Sequence, residues 1–164
     1  MLYLGIDPGL QRTGYALVAA GASAFELRLV EAGIFKFKSS DTLQHRLAQL
    51  SEDLASILDE HKPQAAAVED LFSHYAHPRT AILMGHARGV VLLELEKRHI
   101  PITAFAPREV KLALCGSGAA GKAQIQRAVQ AQFKLAQLPD PPDVADAIAI
   151  AATLARRTGL EGMG

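Results

Sequence analysis

The sequence predicts an α/β layer architecture built on a central mixed sheet. Three observations carry that expectation. Short, β-rich apolar runs crowd the chain up to Phe35. The hydrophobic period then switches from two to about 3.6 at Leu43. Beyond Pro63, short apolar runs alternate with longer helical ones.

Taken in order, LYLGID (2–7) reads as a buried strand ending at Asp7, and PGLQRTG (8–14) as a turn. YALVAAG and FELRLVEAGIF follow as strands, with Gly21 and Ser23 between them. In the second, Leu27, Leu29 and Phe25 alternate with charges. Short links between three strands imply an antiparallel meander. Leu43, Leu47, Leu50, Leu54 and Leu58 recur every three or four residues, which is an amphipathic helix that Pro63 ends. AAAVED (65–70) is a strand closing in acids. Residues 79–98 form a long helix that is apolar on more than one side. ITAF (102–105) is the fifth strand. Pro107 opens a helix running to Gly116. Residues 122–133 and 143–157 are two further helices. A single domain over 1–157 is expected, with 158–164 as a frayed tail.

Composition bounds the function classes. Apolar residues make up 49% and charged ones 21% of 164 residues, ordinary values for a globular protein. A lone Cys115 forms no internal disulfide and reads as a small core residue. No basic stretch precedes Asp7 and Pro8 and no apolar run approaches a membrane span, so a cytoplasmic protein is expected. The 17 basic and 17 acidic residues cancel, but between Lys97 and Lys134 the basic residues face a single acid, Glu109. That stretch is either a solvated face or a basic surface for nucleic acid. The six histidines show no zinc spacing; His74 and His77 lie close to Glu69 in sequence and are candidates for touching DNA.

One motif points elsewhere. GSGAAGKA (116–123) has the G-x-x-x-x-G-K spacing of a P-loop. Position 123 is Ala where magnesium needs a hydroxyl, and 124–164 leave too little chain for the rest of a P-loop core. A helix-start site for one phosphate, Lys122 included, is the better functional reading, and an ordinary Gly/Ala turn is the plain one.

The acids carry more. Asp7 ends the first strand and Glu69 the fourth, and these two strands can be parallel neighbours. Asp143 and Asp146, three apart at the start of the last helix, project from one face. Singly, each has an ordinary explanation: a turn cap for Asp7, the helix dipole for the aspartate pair. Jointly they make a four-carboxylate cluster that needs a hard divalent cation, Mg²⁺ or Mn²⁺, to remain ionised. Two such ions suit phosphodiester hydrolysis.

GIDPGLQRTGYA, AVEDLF, MGHARG, PREVK and DVADAIAIA, in this order over nearly the whole chain, resemble the RuvC family of Holliday-junction resolvases. The resemblance implies an RNase H-like fold with a five-stranded sheet, three strands antiparallel and two parallel. It implies a homodimer cutting two symmetric strands of a four-way DNA junction, with RuvA and RuvB as partners. It places the catalytic, metal-binding acids at Asp7, Glu69, Asp143 and Asp146; the third of these is His in some members of the family. It places DNA contacts at Phe72, Arg88, Lys111 and Lys122. The helix at 79–98, with small residues Ala81, Gly85, Ala87 and Gly89, is the expected seam for a twin subunit. Three rivals remain: a non-catalytic junction-binding protein, an RNase H-like nuclease acting on RNA, and an actin-like ATPase or sugar kinase. The last needs a second, similar domain for which the chain has no room.

Overall fold

The computed structural model describes residues 1–21, 26–71 and 77–161. Its elements are β1 (Leu2–Asp7), β2 (Arg12–Ala20), β3 (Leu27–Lys36), α1 (Leu43–His61), β4 (Ala65–Glu69), α2 (Pro78–Glu96), β5 (Ile102–Phe105), α3 (Pro107–Cys115), α4 (Lys122–Phe133) and α5 (Pro142–Glu161). The five strands form one sheet in the order β3-β2-β1-β4-β5. β1 pairs antiparallel with β2 and parallel with β4, and β4 pairs parallel with β5. This is the expected mixed sheet.

Alternation along the strands feeds two cores. Tyr3, Ala16, Val18 and Ala67 point to one face, beneath α3, α4 and α5. Leu4, Ile6, Leu17, Ala66 and Val68 point to the other, where Leu50, Leu54 and Leu58 of α1 and Ala87, Val91 and Leu95 of α2 cover them. Both faces are buried, so β1 and β4 read as unbroken apolar runs rather than alternating ones.

Some boundaries differ from the sequence reading. The turn after β1 is shorter than 8–14, and β2 resumes at Arg12. Thr13 explains it: its hydroxyl donates to the Gly9 carbonyl at 2.8 Å and accepts from the Gly9 N–H at 3.1 Å, closing the loop early. α5 runs to Glu161, past residue 157 and into the segment expected to fray. GSGAAGKA joins two helices. Gly116 ends α3 at φ 72°, and Gly121 caps α4, its N–H donating to the Gln124 side chain at 2.7 Å. A P-loop follows a strand, and here the preceding element is α3. Among the described residues no helix is long and apolar enough to cross a membrane.

Candidate active site

The parallel register of β1 and β4 brings their last residues together. Ile6 pairs with Val68, so Asp7 and Glu69 leave the sheet side by side at its carboxyl edge. That edge is where open α/β sheets hold their ligands. The loop after β1 is pinned there. Besides the Thr13 contacts, the Gln11 carbonyl accepts from the Phe37 N–H at 3.0 Å, and the Leu10 carbonyl accepts from Arg46 Nη1 at 3.3 Å.

The other two acids arrive on α5, and two glycines let that helix come close enough. A Cβ at Gly5 would fall on the Ala147 carbonyl oxygen and the Ala151 backbone nitrogen. A Cβ at Gly14 would fall on the backbone carbonyl of Asp143 itself. Gly14 is also the cross-strand partner of Asp7. The first turn of α5 therefore rests directly on the strand pair that carries Asp7. Alanines at 145, 147, 149, 151, 152 and 155 are buried and keep the whole helix near the sheet.

Asp7, Glu69, Asp143 and Asp146 line one cleft of about 680 Å³. Burial, and then the neighbouring Glu69, Asp146 and Asp143 carboxylates, hold Asp7 well above the usual carboxylate range. Burial and Asp146 push Glu69 up to about 7, against the hydrogen bond with Asp7 and the charge of Lys111, which pull it down. Asp146 is raised by burial and Asp143, while Lys122 and Lys111 oppose the rise. Asp7 and Glu69 are thus both pushed toward the protonated form, the response of close, buried carboxylates. The donor set, oxygen only and rich in charge, fits a hard divalent cation. Among the described residues no three His, Cys, Asp or Glu side chains already stand as a ready-made metal-holding group.

Of the other expected residues, Lys111 on α3 and Lys122 at the start of α4 line the same cleft. Arg88, expected on DNA, is turned to the protein: its Nε donates to the Glu69 carbonyl at 3.4 Å and its Nη2 pairs with Asp70 at 3.3 Å. It anchors the end of β4. Phe72 and His74 lie outside the described residues. His77 is exposed at the N-cap of α2. Cys115 is half-buried against the core. On α2, Ala87 faces the core, whereas Ile82 (63% exposed) and Leu93 (53%) lie outward, with open space beside Gly89.

Two charged residues of the cleft were not anticipated. Arg12 pairs with Asp143 at 3.6 Å. Arg46 lines the cleft from α1. Arg12 lies inside the GIDPGLQRTGYA motif but was not singled out there, Arg46 is a charged position of the amphipathic leucine helix, and only the folding of α1 beside the β1–β2 loop brings Arg46 to the site.

A sheet of this order, with acids gathered where its central parallel pair ends, is the arrangement of RNase H-like nucleases, and this protein falls in that class. Comparison with known proteins narrows it. A family profile described as crossover junction endodeoxyribonuclease RuvC matches residues 3–154. The chain is 48% identical to that enzyme of Rhodopirellula baltica over 147 residues, covering 90% of this chain and 82% of the relative. It is 41% identical to that of Petrotoga mobilis, covering 92% and 91%. The structure of T. thermophilus RuvC in complex with Holliday junction substrate superposes with a TM-score of 0.89 at 32% identity, covering 98% of this chain and 96% of that one. The chain belongs to the RuvC family of crossover junction endodeoxyribonucleases.

Proposed function

We propose that this protein resolves four-way DNA junctions by hydrolysing one phosphodiester in each of two opposed strands, leaving 5′-phosphate and 3′-hydroxyl ends. The observation that carries the proposal is the convergence of Asp7, Glu69, Asp143 and Asp146 on one cleft, where burial and then neighbouring carboxylates raise the proton affinities of Asp7, Glu69 and Asp146. These four side chains are the ligands for Mg²⁺, two ions per site, with Mn²⁺ as a substitute. When bound, such ions neutralise charge on the phosphodiester and make a water more acidic. The chain's own part is positional. β1 and β4 fix Asp7 and Glu69 in register, and Gly14 sets the height of Asp143. Asp7 and Glu69 would hold such a cation in their ionised form. Lys111 and Lys122 hold the DNA backbone along the α3–α4 side.

Phe72 and Arg88 also enter the proposal from the family resemblance as DNA contacts, Phe72 as a side chain that meets bases at the junction and Arg88 beside its hold on the Glu69 carbonyl. Two opposed cuts need two sites, so the working unit is a homodimer. The outward side of α2 at Ile82, Gly89 and Leu93 is where a second copy packs. RuvA and RuvB are the partners the family implies, and the cytoplasm is the expected compartment.

The test is an end-labelled four-way junction that cannot migrate, offered in several sequence variants beside duplex and RNA controls. Wild type should make paired, symmetric nicks on the junction with Mg²⁺ or Mn²⁺ and none without, and Asp146→Asn should make none. Junction binding without cutting in any ion would instead identify a binding protein. Preferential cutting of RNA would reassign the substrate.

A further inference from the structure

We infer that Arg46 binds a backbone phosphate of the DNA strand lying in the cleft, on the wall opposite Lys111 and Lys122; the inference rests on the junction-cutting reading above. Arg46 sits on α1, in the helix layer on one side of the sheet, whereas Lys111 and Lys122 belong to α3 and α4 on the other. The cleft runs between the two layers over the carboxyl ends of β1 and β4, and all three cations line it.

Arg46 and Arg156 are the two described arginines whose Nε is buried without a hydrogen-bond partner, and of the two Arg46 lines the cleft. A guanidinium presents five N–H donors and no acceptor. Here Nη1 donates to the Leu10 carbonyl at 3.3 Å, and Nε is buried with no hydrogen-bond partner. The two other arginines near the acidic edge are neutralised: Arg12 by Asp143 and Arg88 by Asp70. Arg46 makes no ion pair among the described residues. A buried donor is seldom left unmet, and an unmet one on a cation beside an open cleft calls for an anion. The fork geometry of guanidinium matches a phosphate. None of the cleft's carboxylates, Asp7, Glu69, Asp143 and Asp146, forms an ion pair with Arg46 among the described residues, so the anion comes with the substrate. A strand crossing from one helix layer to the other would have its reacting phosphate over Asp7 and Glu69, with a phosphate to one side on Lys111 and Lys122 and one to the other side on Arg46. Because Arg46 also holds the Leu10 carbonyl, filling its remaining donors would brace the loop that follows Asp7.

The test uses the full chain and an immobile four-way junction, with binding measured without divalent ions across a range of salt. Each phosphate contact contributes about 0.9 to the slope of log affinity against log salt. Arg46→Gln should weaken binding and lower that slope by about 0.9, and Arg46→Lys should recover most of it. Junctions carrying one neutral methylphosphonate at successive positions around the cut locate the contact. At one position wild type should lose affinity and Arg46→Gln should lose nothing more. A wild-type slope in Arg46→Gln, or equal losses in both proteins at every position, overturns the inference. Slower cutting with unchanged binding would leave Arg46 as a loop brace alone and also overturns it. As a measurement free of any variant, saturating junction should protect Arg46 of wild type from phenylglyoxal, read by peptide mass spectrometry; undiminished modification counts against the contact. These readouts concern binding, so they stand whether or not wild type cuts the junction, and a failure of cutting is seen separately.

Discussion

Glu94 and Glu69 are both glutamates taken largely out of water, and their proton affinities move in opposite directions. Glu94, 3% exposed on α2, would be raised by its burial, but hydrogen bonds from Lys97, Ser51 and Arg98, each at 2.8 Å, outweigh that and hold it below the usual range. Arg98 is shared with Asp59 of α1 at 2.7 Å, so the cluster ties α1 to α2. Glu69 meets other carboxylates instead, and is raised to about 7. One site is satisfied by the chain itself. The other is left short of positive charge, which only a ligand from outside can supply. That difference separates a structural carboxylate from a functional one, and neither burial nor residue type distinguishes them.

The largest effect that sharpens this contrast is on the acidic side. Asp7→Asn should leave junction binding intact and cut at least about a thousandfold more slowly, since several kcal/mol of charge stabilisation at the reacting phosphate are lost. The same change removes a carboxylate from a repulsive cluster, so the ion-free variant should melt higher than wild type at pH 8. Single-turnover cleavage and a thermal melt check the pair of outcomes. Normal cutting by the variant would remove Asp7 from the chemistry.

Next comes the mirror experiment. Glu94→Gln keeps the shape and loses the charge, leaving Lys97 and Arg98 short of a partner. It should destabilise by about 3 kcal/mol, the low end for a broken buried pair because both cations reach solvent. That corresponds to a fall of roughly 6–12 °C in Tm for a chain of this size. Cleavage per folded molecule should be unchanged. If Glu94→Gln instead stabilised the protein, the two sites would not differ in the way described.

How far each site was legible in the sequence follows from what holds it together. Asp7 and Glu69 could be read because a strand end is a local feature and parallel pairing of β1 with β4 needs only the order of elements. Asp143 and Asp146 could be read from their spacing on a helix. Lys111 came through the family resemblance, and Lys122 through it and through the GSGAAGKA loop. Glu94 could not be read: in VLLELEK it looks like a solvated helix position, and its burial depends on Ser51 and Asp59 of α1. Arg46 stayed hidden for the same reason, since it acts on a loop far away in the chain. Arg88 was visible as part of a motif, but its direction, inward to the Glu69 carbonyl, is a matter of packing. Gly5 and Gly14 stand inside the GIDPGLQRTGYA motif, but their role was not legible, because closeness of a helix to a sheet is not written in either element alone. The short β1–β2 turn depended on one hydroxyl, that of Thr13.

A smaller effect tests whether the acidic site depends on the seating of α5. Gly14→Ala drives a methyl group into the Asp143 backbone carbonyl. Overpacking of this kind costs about 1–3 kcal/mol, and the relief is for the first turn of α5 to lift. Cutting should drop about tenfold, since a misplacement near 1 Å at reacting groups costs up to a hundredfold. The readout that separates this from simple instability is the Mg²⁺ concentration for half-maximal cutting, which should rise in Gly14→Ala and stay put in Glu94→Gln.

The smallest effect is the pH dependence of ion-free stability, and here the two glutamates have opposite signs. Glu69 is raised from 4.5 to about 7. The folded protein therefore holds a proton that the unfolded chain has released between those values. Stability from that proton is fully present below pH 4.5 and is lost as pH rises through 7, with Asp7 extending the loss upward. Glu94, held low, contributes stability that is present above 4.5 and is lost only as pH falls through its lowered value. Between pH 5 and 8 the Glu94 contribution is flat, so of the two sites the acidic cleft is the one that sets a slope. The decline should be on the order of 1 kcal/mol, or a few degrees in Tm, since the two carboxyls titrate together and the cleft is open to water. Mg²⁺ should reverse it by binding the ionised form. Glu69→Gln should flatten the profile, whereas Glu94→Gln should lower it uniformly. A wild-type profile that rises from pH 5 to 8 without divalent ions would mean that the cleft is not short of positive charge, and the contrast between the two sites would fail.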